Sequence, residues 1–257
     1  MGKLDGKVAI VTGAGRNIGE AIARDFAREG AKVAVVDLDQ GLGQNVAGAI
    51  NAEHNGAAVA LQADVSSRAD VERLVGDVVR AFGGVDILVN NVAVTDHKTI
   101  LEIEEDEWDR VIRVSLKSQF LCTKYAAKQM VSQGRGGRII NMASTSGHMG
   151  RPEATAYTAA KAAILNLTRS VAIQLAPYGI RVNSVTPNQI GTPVGLDYVP
   201  ESRKVRNLVG RPGTPEDISQ MVVFLASDAG DFMTAADFIV DGGALAGGTA
   251  FSSPTKV

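Results

Sequence analysis

Tyr157 and Lys161 stand four residues apart in a stretch crowded with alanine (Ala154, Ala156, Ala159, Ala160, Ala162 and Ala163), and Ser144 precedes the tyrosine by thirteen positions. In a helix, positions i and i+4 share a face, so the phenol and the ammonium are neighbours. A phenol with a pKa near 10 is a poor base at neutral pH, and bringing it to about 7 takes roughly 4 kcal/mol of preferential stabilisation of the phenolate. A lysine ammonium and an oxidised nicotinamide supply such a field in a site shielded from water. The chemistry implied is proton exchange at an alcohol oxygen by Tyr157, with the Ser144 hydroxyl holding that oxygen while a cofactor takes hydride.

A second constellation stands nearer the N-terminus. The strand-like run Val8 to Val11 leads into Thr12, Gly13, Ala14, Gly15, Arg16, Asn17, Ile18 and Gly19, and Ala21, Ile22 and Phe26 then recur at helical spacing. Glycines let a chain turn sharply and approach a ligand, and backbone amides at a helix start hold a pyrophosphate. The spacing of Gly13, Gly15 and Gly19 is one residue longer than the G-x-G-x-x-G template. Asp37 ends the next strand candidate, 24 positions beyond Gly13, where an acid holds the adenosine ribose hydroxyls and repels a 2′-phosphate. This favours NAD over NADP, with Arg16 as the basic residue placed to reach a phosphate. Asp64 and Asn90 follow the third and fourth strand candidates, at the edge where open α/β sheets bind ligands; turn capping is the other reading of both.

The elements that must position these groups show in the apolar pattern. Val8 to Val11, Val33 to Val36, Val59 to Leu61, Ile87 to Val89, Arg138 to Asn141, Arg181 to Val185 and Phe238 to Val240 are seven strand candidates, apolar throughout and separated by helix-length stretches. That is the pattern of a parallel sheet covered on both faces. Val71, Leu74, Val75, Val78, Val79 and Phe82 form a helical stripe, and Thr214, Pro215, Glu216 and Asp217 spell a helix start. The acidic group Glu102, Glu104, Glu105, Asp106 and Glu107 reads as the solvated start of the helix containing Trp108.

Composition narrows the function classes. The 257 residues carry 26 basic and 28 acidic side chains, so no electrostatic footprint for nucleic acid or an anionic membrane is present. Cys122 is the one cysteine and reads as a small buried apolar group; no metal-ligand spacing accompanies it. The N-terminal residues lack a signal-peptide core and no apolar run approaches membrane-spanning length, so a cytoplasmic protein is expected. Without a linker-like stretch, residues 1–257 are expected to form one domain.

The ordered motifs resemble the short-chain dehydrogenase/reductase family from Lys7 to about Gly243: Thr12 to Gly19, Asn90 to Ala93, Ser144 with Tyr157 and Lys161, Pro187 with Thr192, and Asp241 to Gly243. The resemblance implies a doubly wound Rossmann fold with a seven-stranded parallel sheet, and NAD(P)-dependent interconversion of alcohols and ketones. It further implies that Ile190 and Thr192 contact the nicotinamide end, that Val65 contacts the adenine, that residues 188–212 form a substrate lid, and that the protein is a homotetramer. This chain departs from the family at Asn17, which replaces a glycine, at Val92 and Ala93, at Asn188 after Pro187, and at Ser115, which aligns with the family's catalytic asparagine. Ser115 is expected to matter less to turnover than Tyr157. His148, four beyond Ser144, is expected to border the substrate, whereas His97 reads as an exposed loop residue and His54 as a helix end. The lid's Gln189, Asp197, Glu201, Arg203 and Arg206 suggest a hydroxylated or acidic substrate, while Leu196, Tyr198 and Val199 equally allow an aromatic one; the tail 244–257 either covers a cleft or is unstructured.

Three functions follow. The first is an NAD-dependent dehydrogenase of a secondary alcohol or sugar-like polyol, the second an NADPH-dependent 3-oxoacyl thioester reductase, and the third a catalytically weak nucleotide-binding regulatory protein.

Overall fold

Each apolar run becomes a strand because helices cover it from both sides. A computed structural model describes residues 2–194, 205 and 207–247. Its elements are β1 (Val8–Thr12), α1 (Asn17–Arg28), β2 (Lys32–Asp37), α2 (Gln40–Glu53), β3 (Ala58–Gln62), α3 (Arg68–Phe82), β4 (Ile87–Asn90), α4 (Glu105–Ile112), α5 (Ser118–Gln133), β5 (Gly137–Met142), α6 (Thr155–Leu175), β6 (Ile180–Pro187), α7 (Pro215–Ala226) and β7 (Asp237–Val240). All strand pairs are parallel, in the order β3-β2-β1-β4-β5-β6-β7. The expected seven-stranded, doubly wound Rossmann sheet is therefore what forms, with each strand candidate extended by a residue or two at one or both of its ends.

Alternate residues of one strand feed two different cores. Ala9 and Val11 of β1 pack with Ile22 and Phe26 of α1, Ile50 of α2 and Ile218 and Val222 of α7. Val8 and Ile10 face the other way, onto Val71, Leu74 and Val78 of α3 and Leu121 and Met130 of α5. An apolar residue at every position of β1 is what two covered faces require. The stripe of α3 behaves as its spacing predicts, with Ser67 capping the start and Gly83, at φ 83°, ending it in a left-handed conformation. At α7, the Asp217 carboxylate accepts the N–H of Thr214 at 2.8 Å and is gripped by Arg211, which holds its pKa down at about 2.

Strand order reverses between β1 and β4, which lie side by side at the sheet's centre with their connections leaving in opposite directions. Doubly wound sheets open a crevice at that point, beyond the C-terminal ends of the strands. No helix among the described residues is long and apolar enough to cross a membrane.

Candidate active site

At the carboxyl ends of the strands a cleft of about 1130 Å³ runs from Asp37 and Val65 at one end to Ser144, Met149 and Tyr157 at the other. Its floor is the glycine turn. Gly13 takes φ 62°, and a Cβ there would press on Val92 and Asn91 at 3.1 and 3.2 Å. Gly15 donates its N–H to Asp37 Oδ2 at 2.9 Å, and a Cβ on Gly15 would meet that same oxygen at 2.8 Å. Gly19 packs so closely that a Cβ would lie 2.1 Å from the Gly13 carbonyl. The three glycines thus serve a sharp turn and close approach within the turn. Arg16, Asn17 and Ile18 line the cleft, while Gly15 and Gly19 lie behind its wall.

Asn17 replaces a family glycine and adopts φ 54°, the left-handed conformation asparagine tolerates best among non-glycine residues. Its Nδ2 donates to the Thr192 carbonyl at 3.0 Å and hydroxyl at 2.9 Å, tying the glycine turn to the segment that follows β6. Pro187, Ile190 and Thr192 of that segment line the cleft, and Ile190 bridges to Gly213. Most of the expected lid, including Leu196, Asp197, Tyr198, Val199, Glu201, Arg203 and Arg206, lies outside the described residues, as does the tail from 248 onward.

Asp37, Asp64 and Val65 form the far end. Asp64 also accepts from the N–H and hydroxyl of Ser66 at 2.9 and 2.7 Å, so turn capping is one of its roles. Asn90 takes a different place from the one expected. It is 1% exposed, donates to Thr123 and Asn141 at 3.0 and 2.8 Å, and is absent from the cleft wall; its neighbour Asn91 lines the cleft and donates to the carbonyls of Thr12 and Gly13, both at 3.1 Å. A strand's side chains alternate between faces, and one residue's difference puts Asn90 in the interior and Asn91 on the cleft wall.

At the other end Ser144 is extended and accepts the N–H of Ser146 at 3.1 Å, and its hydroxyl lies close enough to Tyr157 to favour the phenolate. Tyr157 is buried, and burial raises its pKa, while the Ser144 hydrogen bond and the charge of Arg151 pull it back. Lys161 lies beneath, 2% exposed, with Nζ donating to the Met142 carbonyl at 2.7 Å and standing 5.6 Å from the Tyr157 ring centre. Desolvation pushes its pKa down to about 7. The expected depression of the phenol by Lys161 is accordingly not present in the chain alone: a lysine this dry is itself reluctant to carry charge.

Two residues that hold this end have no local signal in the sequence. Asp96, 0% exposed, accepts the N–H groups of Ala156 and Tyr157 at 3.2 and 2.9 Å, placing a carboxylate at the start of α6. Arg151 and Arg110 line the cleft with His97. Ser115 is not on the cleft wall: it sits in a π-helical turn, Arg113–Lys117, where its hydroxyl accepts the Val94 N–H at 2.9 Å and donates to the Val94 carbonyl at 2.7 Å. Both hydrogen-bonding capacities of the hydroxyl are thereby used on the loop after β4. Of the two histidines, His97 is the exposed loop residue expected, while His148 does not border the cleft. His97 lines the cleft, whereas His148 turns away, with Nε2 at 2.9 Å from Asp237 and 3.3 Å from the Thr186 hydroxyl. Cys122 is buried and its thiol is pushed up to about 12.

Replacing Ser115 by alanine leaves the Val94 amide without a partner, and urea unfolding is expected to show a loss of about 1–3 kcal/mol. Lys161→Met gives a pH signature. An unfolded lysine keeps its proton up to about 10.5 and the folded Lys161 releases it near 7, so between these values the unfolded chain binds more protons. Wild-type stability relative to the variant is therefore expected to rise with pH from about 7 to about 10, by at most ~1.4 kcal/mol per pH unit, and urea midpoints at a series of pH values measure it.

The family model described as enoyl-(acyl carrier protein) reductase matches residues 13–244. A sorbitol dehydrogenase of Cereibacter sphaeroides is 37% identical over 94% of this chain and 98% of its own length. A 3-alpha-(or 20-beta)-hydroxysteroid dehydrogenase of Mycobacterium bovis is 41% identical over 96% of this chain and 92% of its own. The crystal structure of 3-ketoacyl-(acyl-carrier-protein) reductase from Brucella melitensis, complexed with NADH, superposes with a TM-score of 0.88 at 35% identity, covering 94% and 99% of the two chains. With the Rossmann cleft, the glycine turn and these full-length likenesses together, the chain belongs to the short-chain dehydrogenase/reductase family and is an oxidoreductase of the kind that uses NAD(H) or NADP(H).

Proposed function

We propose that this protein is an NAD-dependent dehydrogenase interconverting a secondary alcohol, sugar-like polyols included, and its ketone. The observation that carries the reading is the meeting of Ser144 and Tyr157, with Lys161 buried beneath them, at one end of a cleft whose other end is a glycine turn fastened to Asp37.

The walls suit a dinucleotide on their own geometry. Arg16, Asn17 and Ile18 stand on the wall, and the first-turn amides of α1 at Asn17 and Ile18, which have no intrahelical partner, would hold a pyrophosphate there. Asp37 would take the adenosine ribose, Asp64 and Val65 would flank the adenine, and Pro187, Ile190 and Thr192 would meet the nicotinamide end. When bound, the oxidised nicotinamide supplies the acceptor for the hydride leaving the carbinol carbon.

The chain's own residues handle the proton. The Ser144 hydroxyl holds the substrate oxygen, and the Tyr157 phenol gives a proton to a ketone oxygen or, as phenolate, takes one from an alcohol. Burial keeps the phenol protonated in the chain alone, which suits it to the acid role. Lys161 sits where its charge, when present, favours phenolate. By likeness to the family, a homotetramer of single-domain chains is the proposed assembly.

A 3-oxoacyl thioester reductase using NADPH is the competing reading, and Arg16 on the cleft wall favours it while Asp37 opposes it. Nicotinamide absorbance on secondary alcohols, polyols and 3-hydroxyacyl thioesters, with NAD and NADP in parallel, separates the two. The expected result is turnover of alcohols with kcat/KM at least about tenfold higher for NAD, a difference worth about 1.4 kcal/mol, narrowing in Asp37→Ser. Faster NADPH-dependent reduction of a 3-oxoacyl thioester would replace this reading with its competitor.

A further inference from the structure

The cleft is not evenly charged. At its nucleotide end the walls carry Asp37 and Asp64 together with Arg16. Around Ser144 and Tyr157, among the described residues, the walls carry His97, Arg110, Arg113 and Arg151 and no aspartate or glutamate. A chain of net charge −2 has no general excess of cations to account for this.

The acids nearby are committed elsewhere. Asp96 is fully buried and accepts two backbone N–H groups of α6. Glu107 is held by Arg110 in a two-pronged pair at 2.8 and 2.9 Å, and Arg110 also donates to the Thr95 carbonyl. Glu153, two residues beyond Arg151, is exposed and off the cleft wall. Among the described residues Arg151 has neither a hydrogen-bond nor an ion-pair partner, yet its charge acts on the Tyr157 phenol, so the guanidinium lies within electrostatic reach of the reacting oxygen. An exposed arginine on a surface is usually just solvated. This one follows, a few residues on, the turn that Ser144 caps and lines the same cleft, with its five donors unclaimed among the described residues.

We infer that the substrate of this site carries an oxyanion, a carboxylate or a phosphate, on the same small molecule as the carbinol, and that Arg151 is the residue that selects it, with His97 contributing at the rim. The inference rests on the dehydrogenase reading for the carbinol but not for the anion. A guanidinium fork matches the two oxygens of a carboxylate or the edge of a phosphate, and in a cleft with low-dielectric walls the cation draws anions in from solution. Hydroxy acids and polyol acids or phosphates therefore fit better than neutral polyols or steroids.

The test uses matched pairs: hydroxy carboxylates of increasing chain length against their methyl esters, and polyol phosphates against the free polyols. Binding to the full-length protein is measured by calorimetry and turnover by nicotinamide absorbance. The charged member of at least one series is expected to bind about tenfold more tightly or better than its neutral partner. That ratio is expected to fall below about threefold in Arg151→Gln and to return in part in Arg151→Lys, each with a wild-type melting temperature because the side chain is exposed and unpartnered. Preference for carboxylates over phosphates, or the reverse, says which oxyanion is meant. Equal binding of charged and neutral partners in every pair, binding by neither, or a preference untouched in Arg151→Gln overturns the inference. Turnover of neutral members with no preference for charged ones also overturns it and leaves the dehydrogenase reading standing; an Arg151-dependent anion preference without turnover of any pair upholds the anion site and removes the dehydrogenase reading.

Discussion

Lys161 has 2% of its surface exposed, and its Nζ reaches the Met142 carbonyl at the end of β5. A buried amine needs a hydrogen-bond partner, and this bond ties α6 to the end of β5. Gly147 must be glycine for the same approach, since a Cβ there would lie 2.7 Å from the Lys161 carbonyl. Tyr157 stands one turn before Lys161 on α6 and faces Ser144, whose turn follows the end of β5. Desolvation works against the lysine's charge and against the phenolate alike, lowering one pKa and raising the other, so the proposed chemistry depends on how far the bound cofactor and substrate offset these two penalties.

Asp96, Ser115, Asn90 and Asn141, none of them on the cleft wall, tie together the segments around this pair, and Asn17 on the wall adds a further tie. Asp96 holds the first amides of α6 from a loop 60 residues away, and Ser115 holds both backbone groups of Val94 in that loop. Asn90 links Asn141 and Thr123, and Asn141 passes the connection to Thr168 on α6. Asn17 reaches across to Thr192. Each tie joins segments far apart in sequence, so the proposed reacting groups are held by tertiary contacts between loops, on a sheet that supplies the platform.

Why some of this was legible in the sequence and some was not follows from the range of the interactions. The strands declare themselves because the central ones are buried on both faces and most of their residues are apolar; α3 and α7 declare themselves through stripe and cap, which are local. The glycine turn and the Tyr157–Lys161 spacing are likewise local patterns. Asn90 was placed in the cleft and Asn91 passed over because the pair differs only in which face of a strand end it occupies. His148 misses its expected place at the cleft because a partner such as Asp237, 89 residues on, leaves no trace beside a histidine. Asp96 had no signal at all, its partners being amides 60 and 61 positions away. Ser115, read as a stand-in for a catalytic asparagine, holds the backbone of Val94 instead, and no neighbouring residue announces that bond.

The central claim is that Tyr157 exchanges the proton while hydride leaves the carbinol carbon. Its most direct test follows the label: an alcohol deuterated at the carbinol carbon is incubated with wild-type protein and with Tyr157→Phe in the presence of NAD, and deuterium in the reduced nicotinamide is measured by mass spectrometry. The account predicts label in the wild-type product and none above background in the variant. Equal transfer by the two proteins would contradict it, because a phenol that can be removed without effect is not the group that moves the proton.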